Sequence, residues 1–228
     1  NGEHKFKEKE MSKPMKKSVY SLVLMDDVVQ AIDEMAYSMN TSRSNLINQI
    51  LAERVSFVTP EMRMQRIFSQ IENLMNSSFQ LLEQPSDAML SIKSPLKYKY
   101  KPTIKYSIEL YRTFEKAVGK LKISVRTQSN QLIAEMNNFF NLWQSIENKY
   151  MARNPPQKNK WEFNGSTFVR TFYGLSSENL SDEQIANAIG GYINLVDKCI
   201  KIYFDNIDDP KFAAQKIENV YLQTYNQP

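Results

Sequence analysis

The sequence is poor in the residues around which most enzymes and most secreted domains are built. It contains one cysteine, Cys199, and one histidine, His4. That excludes a disulfide framework and any Cys/His metal site within one chain. His4 sits in a charged tail and is a poor general base, while Cys199 reads as a small buried residue on a helix. No apolar run approaches the ~18 to 20 residues of a membrane-spanning helix, and no apolar signal core follows the lysine- and glutamate-rich start. The expectation is a cytoplasmic protein without membrane contact. Paired carboxylates in a recognisable frame, a Ser/His or Cys/His set and a phosphate-cradling loop are also missing. Gly190 and Gly191 lie inside a helical pattern and lack the surroundings of such a loop. A catalytic site, a cofactor and a metal are therefore not expected.

What is present is an ordinary globular composition, with 42% hydrophobic and 24% charged residues in 228. The net charge of +4 is unevenly spread. Ten basic residues between Ser91 and Thr127 face only Glu109 and Glu115, whereas the stretch from Asn164 onward is acidic. Such a split suggests that the first two thirds of the chain meet a polyanion.

Residues 1–17 have almost no apolar content and read as a flexible basic arm ending in Lys16 and Lys17. SVYSLVL, 18–24, is β-branched and aromatic and predicts a strand. From Met25 the apolar positions Val28, Ala31, Ile32, Met35 and Met39 make one helix face, with Asp26 and Asp27 at its positive end. The segment NTSRS, 40–44, breaks the pattern and supplies caps, and a second helix starts at Leu46 and Ile47. A gapless shift of 86 positions lays 18–51 on 104–137 with eight identities, among them Tyr20/Tyr106, Leu24/Leu110, Thr41/Thr127 and Leu46/Leu132. Most other apolar positions match in kind, so the chain reads as two copies of a strand-helix-helix unit. Between them Pro60 opens an amphipathic helix of about 24 residues, followed by a basic, proline-marked linker. After the second copy, Pro155 and Pro156 stop a helix and start a mobile polar segment. The aromatic stretch 161–174 reads as a hairpin or an extended docking strand. Ser181 and Gln184 form a capping box before a long helix, and a last helix follows Pro210.

The stretch from Ser18 to Leu51 resembles a ribbon-helix-helix DNA-binding domain of the Arc/MetJ/CopG type. The resemblance rests on the strand, on Leu24 before an acidic helix start, on Val28, Ile32, Met35 and Ala36, and on the TSRS turn leading into Leu46 and Ile47. It implies that two strands pair as an antiparallel ribbon whose outer side chains enter a DNA major groove, while the second helix points its N-terminus at a phosphate. The fold expected is mainly α: a ribbon-helix-helix unit at 18–58, a helix and linker at 59–100, a second such unit at 101–150, and a helical oligomerisation or partner region at 151–228.

Alternation in the second copy, with Tyr106, Ile108 and Leu110 on one side and Lys105, Ser107 and Glu109 on the other, sets the phase. It assigns Val19, Ser21 and Val23 to the outer face of the first strand. Candidate DNA contacts are these residues, Lys16 and Lys17, the turn Thr41, Ser42, Arg43 and Ser44, and Lys105, Ser107 and Glu109. Val19 and Val23 would meet thymine methyl groups and Ser21 would hydrogen-bond a base; covering of this face by protein is the alternative. The copies pair either within one chain or between chains, and a homodimer is favoured. The function this implies is a sequence-specific DNA-binding protein, a transcriptional repressor. A relaxosome or partition accessory protein of a mobile element is an alternative, as is an antitoxin-like interaction module docking a protein partner through 150–228.

Overall fold

The computed structural model describes residues 18–82, 86–114, 117–151, 161–163, 167–173 and 180–225. The chain divides into two compact units, Asn1–Ile47 and Asn48–Pro228.

In the first unit, residues 18–25 belong to no regular element and lead through an extended Met25 into helix α1, Asp26–Ser38. Asp26 and Asp27 occupy the first turn of α1, where the helix dipole favours negative charge. The helix ends in a Schellman turn. Asn40 takes a left-handed φ of 50°, its N–H donates to the Tyr37 carbonyl at 3.1 Å, and the Thr41 N–H donates to the Ala36 carbonyl at 2.9 Å. Asparagine is among the few non-glycine residues that take this conformation readily. Helix α2, Arg43–Arg54, follows at once, with the Ser42 hydroxyl accepting from the Asn45 N–H at 3.3 Å.

The second unit is an α+β fold. Helix α3, Pro60–Leu74, has proline at its first position and a Thr59 cap accepting from the Met62 N–H at 3.1 Å. Then come β1 (Gln80–Leu81), β2 (Met89–Pro95), β3 (Thr103–Leu110), β4 (Ala117–Val125), α4 (Asn130–Met151), β5 (Trp161–Phe163), β6 (Thr167–Tyr173), α5 (Asp182–Asp205) and α6 (Pro210–Tyr225). The strands form one six-stranded sheet in the order β1-β2-β3-β4-β6-β5, every neighbouring pair antiparallel. Its core face carries Ile92 opposite Tyr106, Leu90 opposite Ile108, and Ile123 opposite both Tyr106 and Phe168, all inaccessible to solvent. Helices α4 and α5 cover that face. Phe140 of α4 stacks on Phe168 with ring centres 4.5 Å apart, and the Tyr106 hydroxyl donates to Asp197 of α5 at 2.9 Å. Helix α3 packs on α5, where Gly190 leaves room for Leu74, and α6 joins through Tyr221 against Trp143.

This architecture replaces the expected mainly-α fold with two ribbon units. In the second copy the strand is formed as β3, but the residues aligned with the first helix, 117–125, form β4 instead. Gly119, Leu121 and Ile123 are buried there while Lys120, Lys122 and Ser124 are not; the period is two, which no helix satisfies. The expected linker contains β2, whose Leu90, Ile92 and Ser94 face the core. The amphipathic helix stops at Leu74 rather than running through Leu82. Asn76 breaks it, its side-chain oxygen accepting from the Ser78 N–H at 2.9 Å in an Asx-turn. Segment 18–24, expected to be a strand, forms no strand and takes no part in the sheet.

Three expectations hold. The aromatic stretch contains a β5–β6 antiparallel pair, the Ser181/Gln184 capping box is formed, and the last helix begins at Pro210. The basic arm and the Pro155-Pro156 segment lie outside the described residues.

Candidate nucleic-acid interface

The chain from Ser18 to Met25 belongs to no helix or strand and is exposed throughout. Val19 keeps 99% and Val23 102% of their reference exposure, with Tyr20 at 82%. Were this segment to pair as a strand, Val19, Ser21 and Val23 would share one side and Tyr20, Leu22 and Leu24 the other. In a single chain both sides meet solvent. Within the described part of this unit the buried apolar residues are Ala36 and Leu46, whereas Leu22, Met25, Val28, Met35, Tyr37 and Met39 are exposed. Exposed apolar residues gathered in this way are common on surfaces that bind another macromolecule.

At the turn, the Ser42 hydroxyl is engaged as the cap and Thr41 is half-buried, its N–H committed to Ala36. Ser44 is exposed in the first turn of α2. Arg43 does not point freely outward: its guanidinium forms a two-pronged ion pair with the Asp33 carboxylate of α1. Hydrogen bonding from Arg43 holds the Asp33 carboxyl below the usual carboxylate range. Both partners are solvent-exposed, and ion pairs in that setting are weak and readily exchanged for another anion.

The other predicted contacts lie in the second unit. Lys105, Ser107 and Glu109 project from β3, an interior strand, on the face opposite the core. Glu109 pairs with Lys120 of β4 at 2.9 Å, and the Ser107 hydroxyl lies 3.1 Å from that of Ser91. Two residues absent from the sequence-based set complete this face. Lys93 stands directly opposite Lys105, and Lys122 directly opposite Ser107. Their signal was the alternation in SIKSP and KLKISV, hidden while these segments read as linker and helix. Lys16 and Lys17 lie outside the described residues.

The aromatic segment is core rather than a docking surface, since Phe168 and Phe172 are buried. Beside them a polar network crosses the layers. Arg170 of β6 pairs with Glu147 of α4 and lies over the Tyr192 ring of α5 at 4.0 Å. Trp161 donates to Glu147 at 2.6 Å, and Trp143 donates to the Tyr192 hydroxyl at 2.9 Å. Burial pushes the Glu147 carboxyl up against the opposing pull of Arg170. The network clips the β5–β6 pair to helices α4 and α5. Among the described residues no cluster of His, Cys, Asp and Glu has the makings of a metal site, and no helix is long and apolar enough to cross a membrane. Comparison with known proteins returns no matching family, no similar curated protein and no similar solved structure.

Proposed function

We propose that this protein binds double-stranded DNA through its N-terminal unit, as a homodimer in which residues 18–24 of two chains pair into an antiparallel ribbon. The observation that carries this reading is the exposed, strand-patterned segment 18–24, outside every strand of the sheet and running straight into a capped helix-turn-helix. An unpaired strand leaves a row of backbone donors and acceptors open, and a two-fold axis through its centre satisfies both copies at once. Pairing buries Tyr20, Leu22 and Leu24 against the helices of both chains and leaves Val19, Ser21 and Val23 outward, in a ribbon that fits the major groove. The α2 N-terminus, with Ser44 and an Arg43 released from Asp33, meets a phosphate. The resemblance to ribbon-helix-helix proteins thus rests on the N-terminal unit alone. A repressor that occludes an operator, working in the cytoplasm, is the simplest biological form of this activity.

The test is selection of a duplex library by the full-length protein, followed by sequencing, alongside a Ser21→Ala/Arg43→Ala variant. The reading expects a palindromic or repeated site that the variant no longer enriches. Retention without any sequence preference would overturn the ribbon's role in base readout.

A further inference from the structure

We infer that the open face of the six-stranded sheet is a second, sequence-independent surface for the phosphate backbone of duplex nucleic acid, built on Lys93, Lys105 and Lys122 and extended by the hairpin tip Lys97–Lys101. The identity of the ligand rests on the DNA-binding reading above; the surface itself stands on separate observations.

The first is register. Lys93 and Lys105 face each other across β2 and β3, and Lys122 of β4 lies diagonally across from Lys105. Neighbouring strands are about 5 Å apart, and like charges placed directly opposite each other destabilise a sheet. Among the described residues none of these three lysines forms an ion pair with a carboxylate. Folding therefore gains nothing from this arrangement, and an external anion would relieve it. The charge is also graded along the strands. Toward one end Glu109 and Lys120 neutralise each other at 2.9 Å; toward the other, which leads into the β2–β3 hairpin, the lysines have no such partners.

The second observation is the hairpin tip. Leu96 and Pro102 close it through an N–H to carbonyl bond of 2.9 Å, and Lys97, Lys99, Tyr100 and Lys101 all face solvent. Tyr100 and Lys101 hold left-handed φ angles of 64° and 46°. A side chain in that conformation costs about 1–2 kcal/mol that glycine would avoid. Tyr100 nevertheless stands there at 97% exposure. Side chains kept at a strained, solvent-facing tip are available to a ligand. Three lysines on the flat face and three on the adjoining tip gather positive charge at one end of the sheet. Such a surface suits the exposed backbone of a duplex better than a buried small anion.

The experiment measures binding of full-length protein to a duplex of scrambled sequence by fluorescence anisotropy over a range of salt. It compares wild type, a Lys93→Gln/Lys105→Gln/Lys122→Gln variant, and a control with the same charge loss on helices, Lys198→Gln/Lys211→Gln/Lys216→Gln. Far-UV circular dichroism establishes that each variant is folded. Each lost phosphate contact lowers the slope of log K against log salt by about 0.9, so the sheet variant should lose about 2 to 3 while the control keeps the wild-type slope. An unchanged slope in the sheet variant, or an equal loss in the control, overturns the proposal. A wild type without sequence preference whose slope still depends on the sheet lysines would sink the ribbon reading and keep this one. Sequence preference with an unaltered slope would do the reverse. Preference for a single-stranded oligonucleotide that Tyr100→Ala removes would overturn the duplex assignment, and no binding to any duplex overturns both readings.

Discussion

At the scale of single residues, two adjacent glycines in the long helix α5 play opposite parts. A β-carbon on Gly190 would come within 2.9 Å of the Leu74 side chain, whereas one on Gly191 meets nothing within 4 Å. Glycine in a helix interior costs about 0.8–1 kcal/mol relative to alanine. Gly191→Ala should accordingly stabilise the protein by about that amount in urea unfolding, while Gly190→Ala should gain nothing or lose stability as α3 is displaced. The sequence places both glycines inside a helical pattern, but only the packing of α3 distinguishes them. Cys199 offers a second residue-scale prediction. Burial pushes its thiol up to about 12, three units above the ordinary value of 9.0, so the thiolate fraction falls roughly thousand-fold. Labelling by a thiol reagent at pH 8 should be undetectable in the native protein over the time in which the urea-unfolded chain reacts completely. The buried Arg170–Glu147 pair is the third case. Arg170→Leu strands a carboxylate inside the core and should cost about 3–5 kcal/mol at neutral pH. In the variant the carboxyl titrates above its unfolded value, so the folded state binds the proton more tightly. The deficit should therefore shrink as pH falls, as parallel denaturation curves of variant and wild type at pH 7 and pH 4.5 would reveal.

Between elements, the turn from α1 to α2 was the most legible part of the chain. NTSRS announced a break and a cap, and the structure supplies Asn40 in the left-handed region and Ser42 at the cap. Asn40→Gly should stabilise the turn, and Asn40→Val should cost about 1–2 kcal/mol, since a β-branched side chain tolerates that φ poorly; thermal unfolding monitored at the helix band measures both. The sheet was far less legible. Residues 104–110 alternate cleanly and were read as a strand in the correct phase, with Tyr106, Ile108 and Leu110 inward. Their neighbours were lost because eight chance identities imported a helical frame onto 117–125. Lysines at 120 and 122 satisfied that frame as solvent-facing positions equally well. Short apolar runs are ambiguous between helix and strand, and only pairing with β3 and β6 decides. The lysines of the open face share no motif until the strands are placed side by side, which is why the sequence marks Lys93 and Lys122 only as part of a basic stretch.

For the whole molecule, the two units differ in what holds them. The second has a continuous core with Trp143, Tyr106, Phe139 and Phe168 at its centre, and should unfold cooperatively. Its alkaline limit follows from buried tyrosines. Burial, and after it the Asp197 carboxylate, holds the Tyr106 hydroxyl well above its ordinary value, and burial does the same for Tyr192. The folded state thus keeps protons that the unfolded chain releases from about pH 10. Stability is intact below that point and should fall by up to about 1.4 kcal/mol per pH unit per tyrosine above it. Tyrosinate absorbance at 295 nm should accordingly rise together with loss of ellipticity rather than ahead of it. The first unit, with Ala36 and Leu46 as its buried apolar residues, depends on association in the proposed reading. Amide exchange in 18–47 should slow as protein concentration rises, with no such dependence in β2 to β4. The sheet's two edges bear on where that association happens. They are the two-residue β1 and the three-residue β5, each too short to template a further strand. Among the described residues the sheet thus offers no long edge strand, and in the proposed reading strand pairing between chains falls to residues 18–24, so crowding on DNA would raise occupancy without seeding fibres.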